Sequence, residues 1–368
     1  MGTRVAAGAL ALAVVLACPA GALAQVTPAE AVKLANAGAK AIEEKRYADA
    51  LASFTAAAKL APRSADIAFG VGLSAAMLGQ NAEAERQFQR SLQIDPSFKD
   101  ASIFLGELQY RSGRLKEAIA TYEAALKLAP NDSRLKQKFG EWSAEALTES
   151  RFAETRTVHF RALFEGPVDQ ALARRAVDIL EATYRRIGDA LQFYPAQPVD
   201  VVLYTSQQFR DITRGPTWLG GVYDGRIRVP VKGALEQPGD LDRVLAHEYV
   251  HALIDSVASR GVPAWLNEGL AVALEPGGLA SAERVIASAR SRPTLSQLEG
   301  GFGDLPEALA HLAYAESALA ARRMLEARGP SGVVLLLRDL GAGVQFRTAF
   351  QQRIGMRYEE FQDAVTRR

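Results

Sequence analysis

The arrangement of small, aromatic and polar positions between about residues 25 and 150 repeats every 34 residues. Three segments, AAAKLAP, RSLQIDP and AALKLAP, end in a proline at this spacing, and a proline stops a helix. Small residues allow paired helices to approach closely, and an aromatic side chain fills the space between them. Four columns keep the period: Gly38, Gly72 and Gly106; Ala50, Ala84 and Ala118; Phe54, Phe88 and Tyr122; Pro62, Pro96 and Pro130.

These columns resemble the tetratricopeptide repeat, whose unit is two antiparallel helices in 34 residues. The resemblance implies an N-terminal all-α solenoid of about three units over residues 25–150. Gly140 continues the glycine column, so residues 132–149 are expected to form a terminal capping helix. Such a solenoid either binds a protein partner in its groove or only attaches the rest of the chain to an assembly.

The pattern changes near residue 156, where strand-like segments begin. Residues 157–164 (TVHFRALF) and 199–204 (VDVVLY) are rich in aromatic and β-branched side chains, and the segment between them has apolar positions at helical spacing. Residues 220–231 (GGVYDGRIRVPV) are typical of a turn that leads into a short strand. The rest of the chain is mainly helical, so residues 151–368 are predicted to form an α+β domain.

Charge and composition exclude some classes of partner. The formal net charge is +1, with no basic or acidic run, so nothing indicates nucleic acid or an anionic membrane as the main partner. Cys18 is the only cysteine, and a chain cleaved after it has neither a disulfide nor a thiolate for metal binding or catalysis.

Residues 1–24 have the composition of an export signal. Arg4 is followed by an uncharged stretch of small and apolar residues, and Ala22–Ala24 provide a small-x-small cleavage site. Three alternatives remain open: cleavage near Ala24, lipidation of Cys18, because VLAC resembles a bacterial lipobox, or an uncleaved anchor. The protein is therefore expected to be exported, either periplasmic or secreted, with lipid attachment to a membrane only if Cys18 is modified.

Two of the four histidines lie in the pentapeptide HEYVH, residues 247–251. Residues four apart on a helix lie about 40° apart around its axis, so His247 and His251 project from one face and can bind one Zn²⁺. Glu248 is rotated about 100° from His247, where metalloproteases of this motif place the general base. A structural cluster of polar residues is the alternative, and a third metal ligand nearby would argue against it.

That third ligand is available in WLNEGLA, residues 265–271. Pro263 suits the first turn of a helix, so Glu268 is expected one turn into it. Gly269 and Ala271 flank Glu268 with small side chains, which should let this helix approach the helix that carries His247. The sequence therefore favours a zinc site over a polar cluster.

The blocks HEYVHALI, PAWLNEGLAVAL and AYAESALAARRML resemble the gluzincins, which bind zinc with His-Glu-x-x-His on one helix and a glutamate on the next. The resemblance is strongest to the peptidase MA-like domain, which often accompanies tetratricopeptide repeats in exported bacterial proteins. It implies one Zn²⁺ per chain, with His247, His251 and Glu268 as ligands and Glu248 as general base. It also implies hydrolysis of a peptide or protein substrate.

The sequence departs from this family in two places. The thermolysin-like branch has an aspartate four residues after the glutamate ligand, where this chain has Val272, so the carboxylate that supports a zinc histidine is missing or comes from elsewhere. The aminopeptidase branch binds the substrate amine through a Gly-x-Met-Glu-Asn strand, which GGVYDG does not reproduce. The first difference bears on metal affinity, and the second favours an endopeptidase over an aminopeptidase. An extended peptide could add to the exposed edge of the RIRVPV strand.

A donor to the oxyanion is expected in HLAYAES, where His311 and Tyr314 lie three residues apart on one helix face. The family resemblance favours Tyr314, although a packing role is equally compatible with its sequence context. Two functions therefore remain open, a zinc endopeptidase with a repeat domain and a scaffold whose metallopeptidase fold is inactive and only binds. The complete set of ligands together with Glu248 favours the enzyme.

Overall fold

A computed structural model describes residues 29–166, 170–213, 221–232, 239–302 and 305–366. The chain forms two compact units whose boundary in the sequence falls between Ser143 and Ala144. The expected export signal, including Cys18, lies outside the described residues. Within the described ranges, no helix has both the length and the apolar character needed to cross a membrane.

The N-terminal unit is built from helical hairpins, as the 34-residue period predicts. Helices α1 and α2, α3 and α4, and α5 and α6 pack together as successive pairs, and α7 follows them. The bounds are α1 Ala29–Glu43, α2 Tyr47–Leu60, α3 Ala65–Met77, α4 Asn81–Ile94, α5 Lys99–Arg111, α6 Leu115–Leu128 and α7 Ser133–Glu149. The prediction of an all-α repeat at the N-terminus is confirmed.

The glycine and aromatic columns act together in packing each hairpin. A Cβ built on Gly72 would lie 2.8 Å from the ring of Phe88, and one built on Gly106 would lie 2.5 Å from the ring of Tyr122. Both rings are almost fully buried, so each ring occupies the space that a side chain on the facing glycine would need. A Cβ on Gly140, in α7, would meet no described atom within 4 Å. The glycine–aromatic packing therefore ends at α7, which is consistent with a capping helix.

The C-terminal unit combines one sheet with several helices. Its elements are β1 Phe152–Arg156, β2 Phe160–Glu165, α8 Gln170–Leu191, β3 Val199–Thr205, α9 Ser206–Thr213, β4 Val222–Tyr223, β5 Ile227–Lys232, α10 Asp240–Val257, α11 Ala264–Leu274, α12 Gly278–Ser288, a 3₁₀ turn Leu295–Leu298, α13 Glu307–Gly341, α14 Phe346–Ile354 and α15 Tyr358–Thr366. Helices α8 and α9 lie between strands, and helices α10 to α15 follow the last strand. The prediction of a domain that combines a sheet with helices is confirmed.

The sheet has the strand order β1-β2-β3-β5-β4, in which β2, β3 and β5 are parallel and the two outer strands are antiparallel to their neighbours. Residues 157–159, predicted as the start of a strand, instead form the turn between β1 and β2. The edge of β5 is not fully exposed as expected, because β4 pairs with Ile227 and Arg228. Among the described residues, an open edge on this side of β5 is limited to its second half.

The arginines around β5 point to the sheet face opposite the main core. Successive side chains of a strand alternate between faces, and Ile227 and Val229 enter the main core. Arg226 and Arg228 are only 2% and 1% exposed, and both form ion pairs with Glu145. Glu149 also pairs with Arg226, at 2.9 Å. A buried arginine is costly unless a carboxylate pairs with it, so both arginines depend on these two glutamates. The end of α7, which carries the glutamates, therefore belongs to the C-terminal unit.

The helices that carry the predicted site pack closely around α13. A Cβ built on Gly269 of α11 would lie 2.2 Å from the backbone oxygen of Ser317 in α13. The small residue therefore permits a close approach to α13, not to α10 as the sequence suggested. Helix α13 is interrupted at Gly329, whose φ of 67° is left-handed, and Pro330 follows it.

Candidate metal centre

Three predicted ligands converge between α10 and α11. One ligand atom each from His247, His251 and Glu268 all lie within 4.8 Å of one another. The Nε2 atoms of both histidines are 3.5 Å from Oε2 of Glu268. The i, i+4 spacing on α10 places the two imidazoles on one face, and Glu268 faces them from the first half of α11.

This geometry suits a tetrahedral metal. Two ligands bound at about 2.0–2.1 Å from one zinc are separated by about 3.3–3.4 Å when the angle at the metal is tetrahedral. The distances from Oε2 of Glu268 to Nε2 of His247 and of His251 are 3.5 Å, close to this value, and the separation of the two histidine ligand atoms is at most 4.8 Å. Two imidazole nitrogens and one carboxylate also form a set of protein ligands that leaves a fourth position open.

A second carboxylate supports His247. Glu275, the residue that follows α11, lies with Oε2 2.8 Å from Nδ1 of His247. A hydrogen bond at Nδ1 directs the Nε2 lone pair towards the metal position and fixes the orientation of the ring. This carboxylate provides the support that Val272, four residues after Glu268, cannot provide. It comes from seven residues after Glu268, about two helical turns along the same face.

The carboxylates determine the charge of the centre. Burial lowers the pKa of His247, but hydrogen bonds to Glu268 and Glu275 outweigh this effect and raise the pKa to about 10. Burial alone would raise the pKa of Glu268, yet the charges and hydrogen bonds of the two histidines hold it well below its usual range. The side chains of Glu268 and Glu275 thus attract a positive charge, either a proton on His247 or a cation between the ligands.

Glu248 projects from α10 beside the ligands and is 5% exposed. Burial raises the pKa of this carboxyl group, against the opposing attraction of His247 and His251. A carboxylate whose pKa is raised by burial can accept a proton and release it again, which is what a general base and acid requires. A Cβ built on Gly221, directly before β4, would lie 2.9 Å from this side chain.

Tyr314 comes from α13 and stands next to His247, with their ring centroids 6.4 Å apart. Phe302 packs edge-on against the tyrosine ring at 5.2 Å. Burial, followed by the charges of nearby carboxylates including Glu268 and Glu248, raises the pKa of Tyr314 above its usual range, so its hydroxyl stays protonated. His311, the other predicted donor, is exposed on α13.

Comparison with known families agrees with this architecture. The model of the peptidase MA superfamily matches residues 183–366, which is half of the 368 residues. The chain therefore belongs to the peptidase MA superfamily. Two models of the tetratricopeptide repeat match residues 37–97 and 75–138. The predicted combination of tetratricopeptide repeats with a peptidase MA-like domain is confirmed.

Individual relatives match the repeat region. The small glutamine-rich tetratricopeptide repeat-containing protein 2 of Mycosarcoma maydis is 30% identical over 122 residues, which is 33% of this chain and 34% of that protein. This chain thus spans about a third of the length of that curated relative. The tetratricopeptide domain of Sgt2 from Aspergillus fumigatus is 22% identical, with a TM-score of 0.33 over 37% of this chain and 92% of that one. The first such domain of human RPAP3 is 21% identical, with a TM-score of 0.31 over 32% and 94%.

Proposed function

We propose that this chain is an exported zinc-dependent peptidase that cleaves internal peptide bonds, and that its repeats bind a protein partner or substrate. The observation that carries the proposal is the convergence of His247, His251 and Glu268 around one point, with Glu248 buried beside them. Membership of the peptidase MA superfamily supports the class of reaction. The pattern of residues 1–24 supports export.

The protein groups have separate tasks in amide hydrolysis. Zinc bound by the three ligands would supply a Lewis acid and lower the pKa of water at the open position. Glu248 takes the proton of the attacking water and transfers it to the leaving amine. The protonated hydroxyl of Tyr314 donates a hydrogen bond to the oxyanion as it forms, and the geometry favours it over the exposed His311. Glu275 keeps His247 oriented.

The hydrogen bonds of Asp224, the acidic residue next to β4, favour cleavage of internal peptide bonds. An aminopeptidase needs a free carboxylate to bind the α-amine of its substrate. Asp224, the acidic residue of GGVYDG, instead accepts hydrogen bonds from Nε of Arg228 at 2.9 and 3.0 Å. A carboxylate held by a buried arginine is a poor ligand for a substrate amine.

The proposal is tested by peptide hydrolysis in the full chain. Zinc-loaded wild type should cleave members of a broad peptide library whether or not their N-termini are acetylated, which distinguishes an endopeptidase from an aminopeptidase. Glu248→Gln keeps the size of the side chain but removes the base, so hydrolysis should fall by about 10²- to 10⁴-fold. If zinc-loaded wild type cleaves no peptide, the chain is a binding protein with an inactive metallopeptidase fold.

A further inference from the structure

Gly221 lies so close to Glu248 that no side chain fits between them. A Cβ built on Gly221 would be 2.9 Å from both Cγ and Oε1 of Glu248, and 2.9 Å from Cγ1 of Val244. Contacts this short are strongly repulsive, so a larger residue at position 221 must displace a neighbour. The φ of Gly221 lies outside the left-handed region, so the requirement for glycine is steric and not conformational.

The backbone next to Gly221 is held in place on two sides. In β4, Val222 and Tyr223 pair with Arg228 and Ile227 of β5. The hydroxyl of Tyr223 also lies 3.1 Å from Oδ2 of Asp255, on the same helix as Glu248. The strand cannot move away from α10 without breaking these interactions, so a clash at position 221 falls on the side chains of α10.

The two side chains that a Cβ at position 221 would contact, those of Val244 and Glu248, differ in conformational freedom. Val244 is β-branched, nearly confined to one rotamer in a helix, and buried in the main core. Glu248 is unbranched and can rotate about several bonds. An added methyl group at position 221 is therefore expected to displace the carboxylate of Glu248 rather than the isopropyl group of Val244.

We propose that Gly221 is a positioning residue for Glu248, because the missing side chain leaves the carboxylate the space from which it acts on water. This inference rests on the proposed peptidase function. The built Cβ, at 2.9 Å from Cγ of Glu248, is about 0.6–1.1 Å closer than the optimal carbon–carbon separation of about 3.5–4.0 Å. Misplacing a catalytic group by about 1 Å can reduce the rate about 10²-fold.

The kinetic test compares two glycine substitutions in the zinc-loaded full chain. Gly221→Ala should lower kcat by about 10- to 100-fold with little change in KM, because the base acts in the chemical step. Its zinc content should stay at the wild-type level. Gly300→Ala is the matched control, since a Cβ there would meet no described atom within 4 Å, and its kinetic constants should equal those of wild type.

A thermal double-mutant cycle tests the contact without any activity. Overpacking by Gly221→Ala should lower Tm by about 2–8 °C. The same substitution made together with Glu248→Ala should cause a clearly smaller loss, because the space vacated by the glutamate accepts the methyl group. A Tm loss of equal size in both backgrounds would show that the methyl group does not press on Glu248, and the inference would be wrong.

The outcomes separate this inference from the proposed function. An active wild type with an equally active Gly221→Ala variant overturns the positioning role and leaves the peptidase proposal intact. A wild type that binds zinc but cleaves nothing overturns the peptidase proposal, and with it the positioning role in catalysis. A lower kcat in Gly221→Ala together with thermal coupling to Glu248 supports both.

Discussion

Glu275 is predicted to account for much of the metal affinity although it is not itself a ligand. Its Oε2 atom lies 2.8 Å from Nδ1 of His247, and the side chain of Glu275 is only 7% exposed. Glu275→Ala would free the imidazole to rotate and would leave Nδ1 without this charged acceptor. Loss of such a supporting group usually weakens metal binding by about 10- to 100-fold, which corresponds to about 1.4–2.7 kcal/mol.

Graded variants separate charge from hydrogen bonding at this position. Glu275→Gln still offers an oxygen to Nδ1 but removes the charge. Its zinc affinity should therefore lie between that of wild type and that of Glu275→Ala. Arg243, whose Nη1 is 3.8 Å from Glu275 and whose side chain is 47% exposed, should matter less, and Arg243→Ala should weaken zinc binding by no more than about 5-fold. Glu283→Ala removes an exposed carboxylate on α12 and serves as the control.

The assay is competition for zinc against a chelator of known affinity, at constant pH and with purified full-length protein. The predicted order of affinity is wild type and Glu283→Ala, then Glu275→Gln, then Glu275→Ala. If Glu275→Ala binds zinc as tightly as wild type, the reasoning that links Nδ1 of His247 to metal affinity is refuted.

Two further predictions concern other parts of the C-terminal unit. Tyr314→Phe removes only a hydroxyl and should lower kcat by about 10²- to 10³-fold in steady-state kinetics with zinc content unchanged; an unchanged rate would assign the oxyanion to His311 or to a backbone group. Glu145→Ala removes a carboxylate from buried Arg226 and Arg228 and should lower the free energy of unfolding by about 3–5 kcal/mol in a denaturant titration. A decrease below about 1 kcal/mol would show that the two arginines do not depend on Glu145.

Much of the fold could be predicted because its signals are local or periodic. The glycine and aromatic columns predicted the hairpins, since a ring such as that of Phe88 needs the space left by Gly72. The candidate ligand set could also be proposed from the sequence, because helical geometry alone places His247 and His251 on one face and the next helix offers Glu268.

The remaining features depend on tertiary contacts that spacing does not encode. Glu275 follows the end of α11, and only the packing of α11 on α10 brings it to His247. Its seven-residue distance from Glu268 was the one available signal, since that spacing keeps both on one helix face. Arg228 looked like an ordinary strand residue, and its burial depends on carboxylates more than 70 positions earlier in the sequence. The predicted approach of α10 to Gly269 is likewise wrong, because a small residue does not indicate which neighbouring helix approaches it.

The most direct test of the central claim is the metal content of the purified full-length protein, measured by elemental analysis after preparation in zinc-containing medium. The geometry of His247, His251 and Glu268 predicts about one zinc per chain in wild type and a large loss of zinc in both His251→Ala and Glu268→Ala. Glu248→Gln should keep its zinc, because Glu248 is not a ligand. Wild type that is repeatedly metal-free, or a Glu268→Ala variant that keeps a full zinc, would contradict the account.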